Sequence, residues 1–181
     1  LEPAVSVDGS RRLSRVAWTP SAATLMCGVD GAGQSLDRAA TFTAAELCGL
    51  ADTMLALTTG YVAERKQFGA PLSSFQMVQA MIADQQTGVL AGRALVRDTA
   101  RKWVTNEDRR IAPSAAKLFC TEMAGQVADL AVQIHGGTGY MREVPVERIY
   151  REVRLLRLYE GTSEIQRLII GGGLVIDSQL R

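Results

Sequence analysis

From Leu36 onward the apolar positions repeat with a helical period. Leu47, Leu50, Met54, Leu57 and Tyr61 step by 3, 4, 3 and 4 and line one side of a helix. Phe68-Gly69-Ala70-Pro71 then supplies a terminal glycine and a stop. Ser73-Ser74-Phe75-Gln76 opens a second helix with the S-x-x-Q spacing of a capping box. Phe75, Val78, Ile82, Val89, Val96 and Trp103 mark its apolar stripe, at steps of 3, 4, 7, 7 and 7. A third helix begins at Pro113-Ser114, buries Ala116, Cys120, Met123, Val127, Leu130 and Ile134, and ends at Gly136-Gly137. A short fourth covers 144–155, and a fifth starts at Thr162-Ser163 and runs to Gly171 or beyond. Three long helices with heptad-like spacing and short connections predict an all-α, antiparallel, four-helix-bundle-like domain over 36–181. Gly60, Gly88, Ala91 and Gly92 sit where helices approach most easily.

Residues 1–35 read differently. Val5, Val7, Leu13, Val16 and Trp18 stand in short stretches broken by Asp8-Gly9-Ser10, Thr19-Pro20-Ser21 and the glycine-rich run 28–33. Two or three strands make no independent sheet domain. The segment is expected to be a short β remnant, the trailing edge of a domain that lies elsewhere.

Composition narrows the function classes. Among 181 residues, 20 basic and 19 acidic side chains nearly cancel, so no field draws nucleic acid or anionic lipid. Cys27, Cys48 and Cys120 form no CxxC pair and read as small buried apolar residues in a reducing compartment. No apolar run is read as long enough to span a bilayer and no signal pattern opens the chain, which points to a soluble, cytoplasmic protein.

Three segments carry candidate chemistry. In Tyr159-Glu160-Gly161-Thr162-Ser163-Glu164, Thr162 or Ser163 caps the last helix, and Ser163 with Gln166 forms a capping box. Glu160 therefore stands in the loop ahead of a helix. Apolar neighbours there raise a carboxylate's proton affinity, and Gly161 lets a ligand approach the backbone. By spacing alone the plainer reading, a helix-start carboxylate favoured by the dipole, is the better supported. Gln133-Ile134-His135-Gly136-Gly137 ends a helix with room for a bulky ligand, although by itself a helix C-cap and turn is the better-supported reading. It is no dinucleotide fingerprint, since no strand precedes it. His135 has no ligand-spaced partner, so no metal site is expected. Arg65, Phe68 and Gln76 surround one interhelical turn, where an arginine can grip a pyrophosphate or merely cap a helix. Arg148, Arg151, Arg154 and Arg157 interleave with Glu143, Glu147 and Glu152 and read as a solvated, ion-paired face.

Taken together, R-K-Q-F-G-x-P-L-x-x-F-Q (65–76), Q-I-H-G-G-x-G-Y (133–140) and Y-E-G-T-S-E-I-Q-R (159–167) resemble the acyl-CoA dehydrogenase family, in order and interval. The resemblance covers about 145 residues and identifies the C-terminal helical domain, with 1–35 as the end of the middle β domain. It implies an FAD flavoenzyme of lipid metabolism that takes an acyl-CoA to its 2,3-enoyl form, usually a tetramer built as a dimer of dimers. An electron-transfer flavoprotein-type acceptor is implied as well. By the same resemblance Glu160 is the base and Gly161 lines the thioester pocket. Thr162, Ser163 and Glu164 approach the flavin nucleotide. Arg65, Phe68 and Gln76, with Gln133, Ile134, His135, Gly136 and Gly137, hold the FAD of a neighbouring subunit. Glu160 is expected to face a cavity shared with the 65–76 and 133–140 turns. Asp37 belongs to the L-D-x-x-R step that meets the CoA chain, but Ala40 stands where arginine is expected. The family's N-terminal helical domain and most of its β domain have no counterpart here. The chain therefore reads as a piece of a longer enzyme, inactive and poor in FAD binding by itself. An acyl-CoA oxidase on the same scaffold and a non-catalytic assembly module are the alternatives.

Overall fold

The computed structural model describes residues 1–7, 12–105 and 111–179. The Asp8-Gly9-Ser10 turn lies outside these. The described chain divides into two compact units, 1–35 and 36–181.

In the first unit β1 (Glu2–Ala4) and β2 (Leu13–Arg15) pair antiparallel, with Pro3 opposite Ser14. Val5, Val7, Val16 and Trp18 are exposed, and so is Cys27, against the expectation of a buried thiol. Helix α1 (Val29–Glu64) begins seven residues earlier than the sequence suggests and runs through Gly31 and Gly33. No proline lies between Pro20 and Pro71 to stop it. Each glycine costs a helix about 1 kcal/mol, which propagation from a well-packed body can outweigh.

In the second unit α1 is followed by a tight hairpin, β3 (Lys66–Gln67) and β4 (Ala70–Pro71). Phe68 and Gly69 form its corner at φ 53° and 80°. Two consecutive positive φ values are what a two-residue hairpin needs, so Gly69 turns a hairpin and does not cap α1. Helix α2 (Gln76–Thr105) starts three residues after Ser73. The Ser73–Gln76 capping box does not form; Gln79 Nε2 instead donates to the Ser73 carbonyl at 2.9 Å. Helices α3 (Ile111–His135), α4 (Val146–Leu156) and α5 (Ser163–Gln179) complete the unit.

Side-chain pairs set the directions. Asp52 of α1 is ion-paired with Arg93 of α2, and the Arg38 guanidinium lies 5.3 Å from the Trp103 ring centre, so α1 and α2 run antiparallel. Cys48 meets Cys120 at 3.7 Å and Tyr61 meets His135, so α1 and α3 run parallel. Leu47, Met54, Val89, Ala116, Cys120, Ala124, Val127 and Leu156 share one core. The two thiols stay free, and their mutual contact and burial push Cys120 above the usual thiol range. The inner face of α2 is Gln85, Val89, Gly92 and Thr99, displaced from the heptad stripe read in the sequence. Glycine makes that possible: a Cβ on Gly92 would meet Met123 Cε at 3.0 Å and Cys48 Sγ at 3.2 Å, and one on Gly88 would meet Met123 Cγ at 2.9 Å. Gly60 has open space around it.

The expectation that no segment reaches membrane-spanning length needs correction. The helical stretch containing α1 is long enough and, at a mean hydropathy of 1.2, apolar enough. Its buried residues from Ala40 to Val62 are the core of the bundle, and a packed central helix meets the same test.

Candidate functional site

The segment 157–166 links α4 to α5 and holds the candidate base. Glu160 has φ 59° and Gly161 φ 86°. A left-handed residue with a side chain costs roughly 1–2 kcal/mol, so its surroundings must hold it there. Two side chains do so. Gln166 Nε2 donates to the Glu160 carbonyl at 2.9 Å and to the Gly161 carbonyl at 3.3 Å. Lys117 Nζ donates to the Gly161 carbonyl at 2.6 Å. A Cβ on Gly161 would stand 2.6 Å from Gln166 Nε2 and displace the amide that clamps the turn. The Glu160 side chain is half-buried, and no described residue accepts a hydrogen bond from its backbone N–H.

Glu122 of α3 anchors the segment from below. Its carboxylate accepts from Arg157 Nε at 3.0 Å and from Ser163 Oγ at 2.6 Å, and Arg167 stands 3.9 Å away. Thr162, not Ser163, caps α5, its hydroxyl accepting from the Ile165 N–H at 3.4 Å. Ser163 points inward, nearly fully buried, so the Ser163–Gln166 capping box does not form. Glu164 is exposed, and its own backbone N–H together with the Thr162 hydroxyl holds it below the usual carboxylate range. Burial pushes the Lys117 ammonium below the usual lysine range, an effect that Glu160, Glu122 and Glu164 partly offset.

Lys117, Glu122 and Gln166 were absent from the sequence reading as site residues. A signal existed for the first: Lys117 falls between Ala116 and Cys120 on the buried stripe of α3, and lysine is almost never fully buried without a specific partner. Arg157 was read as part of a solvated face. Arg151 does pair with Glu147 within α4 at 3.0 Å, whereas Arg157 reaches across to α3.

The second constellation lies at the other end of α3. A groove of about 680 Å³ is lined by Arg65, Ile134, His135, Gly136 and Gly137, together with Tyr61 and Met141. Gly136 is left-handed at φ 59°. The Tyr61 ring stacks on His135 at 4.3 Å, and the Tyr61 hydroxyl donates to the His135 carbonyl at 3.3 Å. His135 Nδ1 contacts the Ala131 carbonyl at 2.7 Å, so its ring is a fixed wall. Arg65 is exposed and forms no ion pair among the described residues. Phe68, Gln76 and Gln133 are exposed outside the groove lining.

Eighteen residues separate Lys117 from His135, about 27 Å along a helix. Glu160 therefore does not share a cavity with the 65–76 and 133–140 turns within one chain, contrary to the sequence reading. Sequence order shows which motifs are present but not which end of a helix each one serves. Because α1 runs parallel to α3, Asp37 lies in the same half of the bundle as Glu160. Ala40, where an arginine was expected, is buried at 4% exposure.

The family described as acyl-CoA dehydrogenase, C-terminal domain, matches residues 27–175. A probable acyl-CoA dehydrogenase of Bacillus subtilis is 43% identical over 143 residues, covering 78% of this chain and 37% of that protein. A caffeyl-CoA reductase-Etf complex subunit of Acetobacterium woodii is 37% identical over 148 residues, covering 82% of this chain and 39% of that protein. The structure of butyryl-CoA dehydrogenase from Megasphaera elsdenii superposes with a TM-score of 0.80 at 36% identity, covering 82% of this chain and 39% of that one. The chain thus spans well under half the length of these relatives.

Proposed function

Because this chain belongs to the acyl-CoA dehydrogenase family, we propose that it is the C-terminal part of an FAD-dependent enzyme that converts an acyl-CoA thioester to its 2,3-enoyl form, with Glu160 as the α-proton base. The observation that carries this reading is the Glu160 turn. It is a strained, doubly clamped backbone that presents, side by side, a half-buried carboxylate and an N–H without a partner among the described residues.

The chemistry requires both groups. An α-proton of a thioester is far too weakly acidic for a carboxylate unless charge developing on the thioester oxygen is stabilised. In the proposal the Glu160 N–H donates to that oxygen while the Glu160 carboxylate takes the proton. Gly161 leaves space for the thioester. Held by Lys117 and Gln166, the turn need not reorganise as charge develops, which is the condition under which such donors are most effective. FAD, when bound, supplies the acceptor for the hydride leaving the β-carbon. The same carboxylate would return a proton to the α-carbon were the reaction run towards reduction.

The residues at the far end of α3 fit a nucleotide diphosphate. An exposed cation with no ion pair among the described residues, two adjacent glycines and a fixed aromatic wall line one groove. Arg65, Ile134, His135, Gly136 and Gly137 would hold the FAD of a neighbouring subunit, and Thr162 and Glu164 would approach the chain's own. The distance along α3 supports two cofactor sites. Assembly into a homo-oligomer is supported by the exposed Leu168, Leu174, Val175 and Ile176 on α5. An electron-transfer flavoprotein is the proposed acceptor, in keeping with the Etf complex of the Acetobacterium relative. The reading of 1–35 as the end of a β domain is supported by its exposed apolar residues.

Two experiments test this. In the full-length enzyme without oxygen, one member of an acyl-CoA panel should bleach the flavin absorbance; a flavin that no thioester bleaches would overturn the proposal. Arg65→Met should weaken FAD retention roughly 10- to 100-fold, the loss expected for a hydrogen bond to a charged group. Flavin-to-protein ratio after dialysis measures it, and an unchanged ratio removes Arg65 from the site.

A further inference from the structure

Given the reading of Glu160 as base, we infer that Lys117 is its positioning residue: the buried ammonium holds the Gly161 carbonyl and so fixes the left-handed Glu160-Gly161 turn. The whole Lys117 side chain is buried, on a face of α3 shared with Pro113, Ser114, Cys120 and Thr121. Taking an ammonium out of water is costly, and attraction to its partners repays that cost only where the geometry is excellent. Folding stability alone does not account for a lysine at this position.

Its contacts do. The 2.6 Å bond to the Gly161 carbonyl is a charge-assisted one, directed at the residue next to the base. Three carboxylates favour the charged ammonium: Glu160 from the turn most, then Glu122 from α3 and Glu164 from α5. Glu122 is already bound by Arg157 and Ser163, with Arg167 nearby. Glu164 is held by Thr162 and its own backbone. Glu160 forms no ion pair with an arginine or lysine among the described residues, and its charge acts most strongly on Lys117. The lysine thus fixes the backbone that carries the base and complements the charge of its side chain. Gln166 also donates to the Gly161 carbonyl and holds the Glu160 carbonyl besides.

The test is Lys117→Met in the full-length, FAD-loaded enzyme. Methionine fills similar volume without the charge, and Gln166 still covers the Gly161 carbonyl. Expected are a folded protein with FAD content and KM within about twofold of the parent's, and kcat down roughly 10- to 100-fold. Gln166→Met should lower kcat too, and the double variant should fall by less than the product of the two, because both act on one turn. A merely structural lysine would lower melting temperature, FAD content and kcat together. That pattern, a protein that does not fold, or parental kcat in Lys117→Met each overturns the inference. Glu160→Gln assayed alongside separates the two failures. An active Glu160→Gln discards the base, whereas an inactive one beside a normal Lys117→Met discards only the positioning role.

Discussion

Turnover should fall by about 10²- to 10⁴-fold when Glu160 is replaced by glutamine in the full-length, FAD-loaded enzyme, with flavin content at the parental level. Glutamine keeps the shape of the side chain and leaves the Glu160 N–H where it was. The Gln166 bond is made to the backbone carbonyl, so the turn should survive. What disappears is the only atom pair in the turn able to take a proton. Steady-state rates with the best acyl-CoA, beside the flavin spectrum, check this. Near-parental turnover would show that the proton leaves by another route.

The second large effect concerns the scaffold. Leu47→Ala should destabilise the folded protein by about 2–5 kcal/mol, the range for emptying a fully buried leucine site. Leu47 has no exposed surface and lies in the cluster that joins α1 to α3 and α4. The neighbours named in that cluster are mostly alanine, cysteine and valine, too short to refill the space. Denaturant unfolding of the full-length protein, with the slope checked for constancy, measures it. A change under 1 kcal/mol would mean that α1 packs less tightly than described.

Much of this architecture is legible in the chain. The stripe from Leu47 to Tyr61 falls along the packed side of α1, with Leu47 and Met54 buried and Leu50, Leu57 and Tyr61 partly so. Gly88 and Gly92 announce the close approach of α2 to α3, as the missing Cβ atoms show. What escapes the pattern is non-local. Helix α1 extends back to Val29 because propagation outweighs two glycines. Ser163 has the sequence position of a cap, but Glu122, 41 residues away, claims its hydroxyl. Phe68 turns left-handed because a two-residue hairpin demands it.

The candidate site divides the same way. The Glu160 loop and the two groove-forming turns are each recognisable as local sequences. Their placement at opposite ends of α3 follows from helix length and direction, which local spacing does not encode. Lys117 was legible only as an anomaly, a charge on an apolar stripe, and its meaning required the Gly161 carbonyl to be seen beside it.

The sharpest test isolates proton removal from hydride transfer. An acyl-CoA whose β-carbon carries no hydrogen, such as 3,3-dimethylbutyryl-CoA, can exchange its α-protons but has no hydride to lose. Incubated in D2O with the full-length enzyme and followed by NMR, its α-position should exchange with the parent. With Glu160→Gln that exchange should be slower by at least about 100-fold, at comparable binding judged by competition. Equal exchange rates in the two proteins would contradict the assignment of the base.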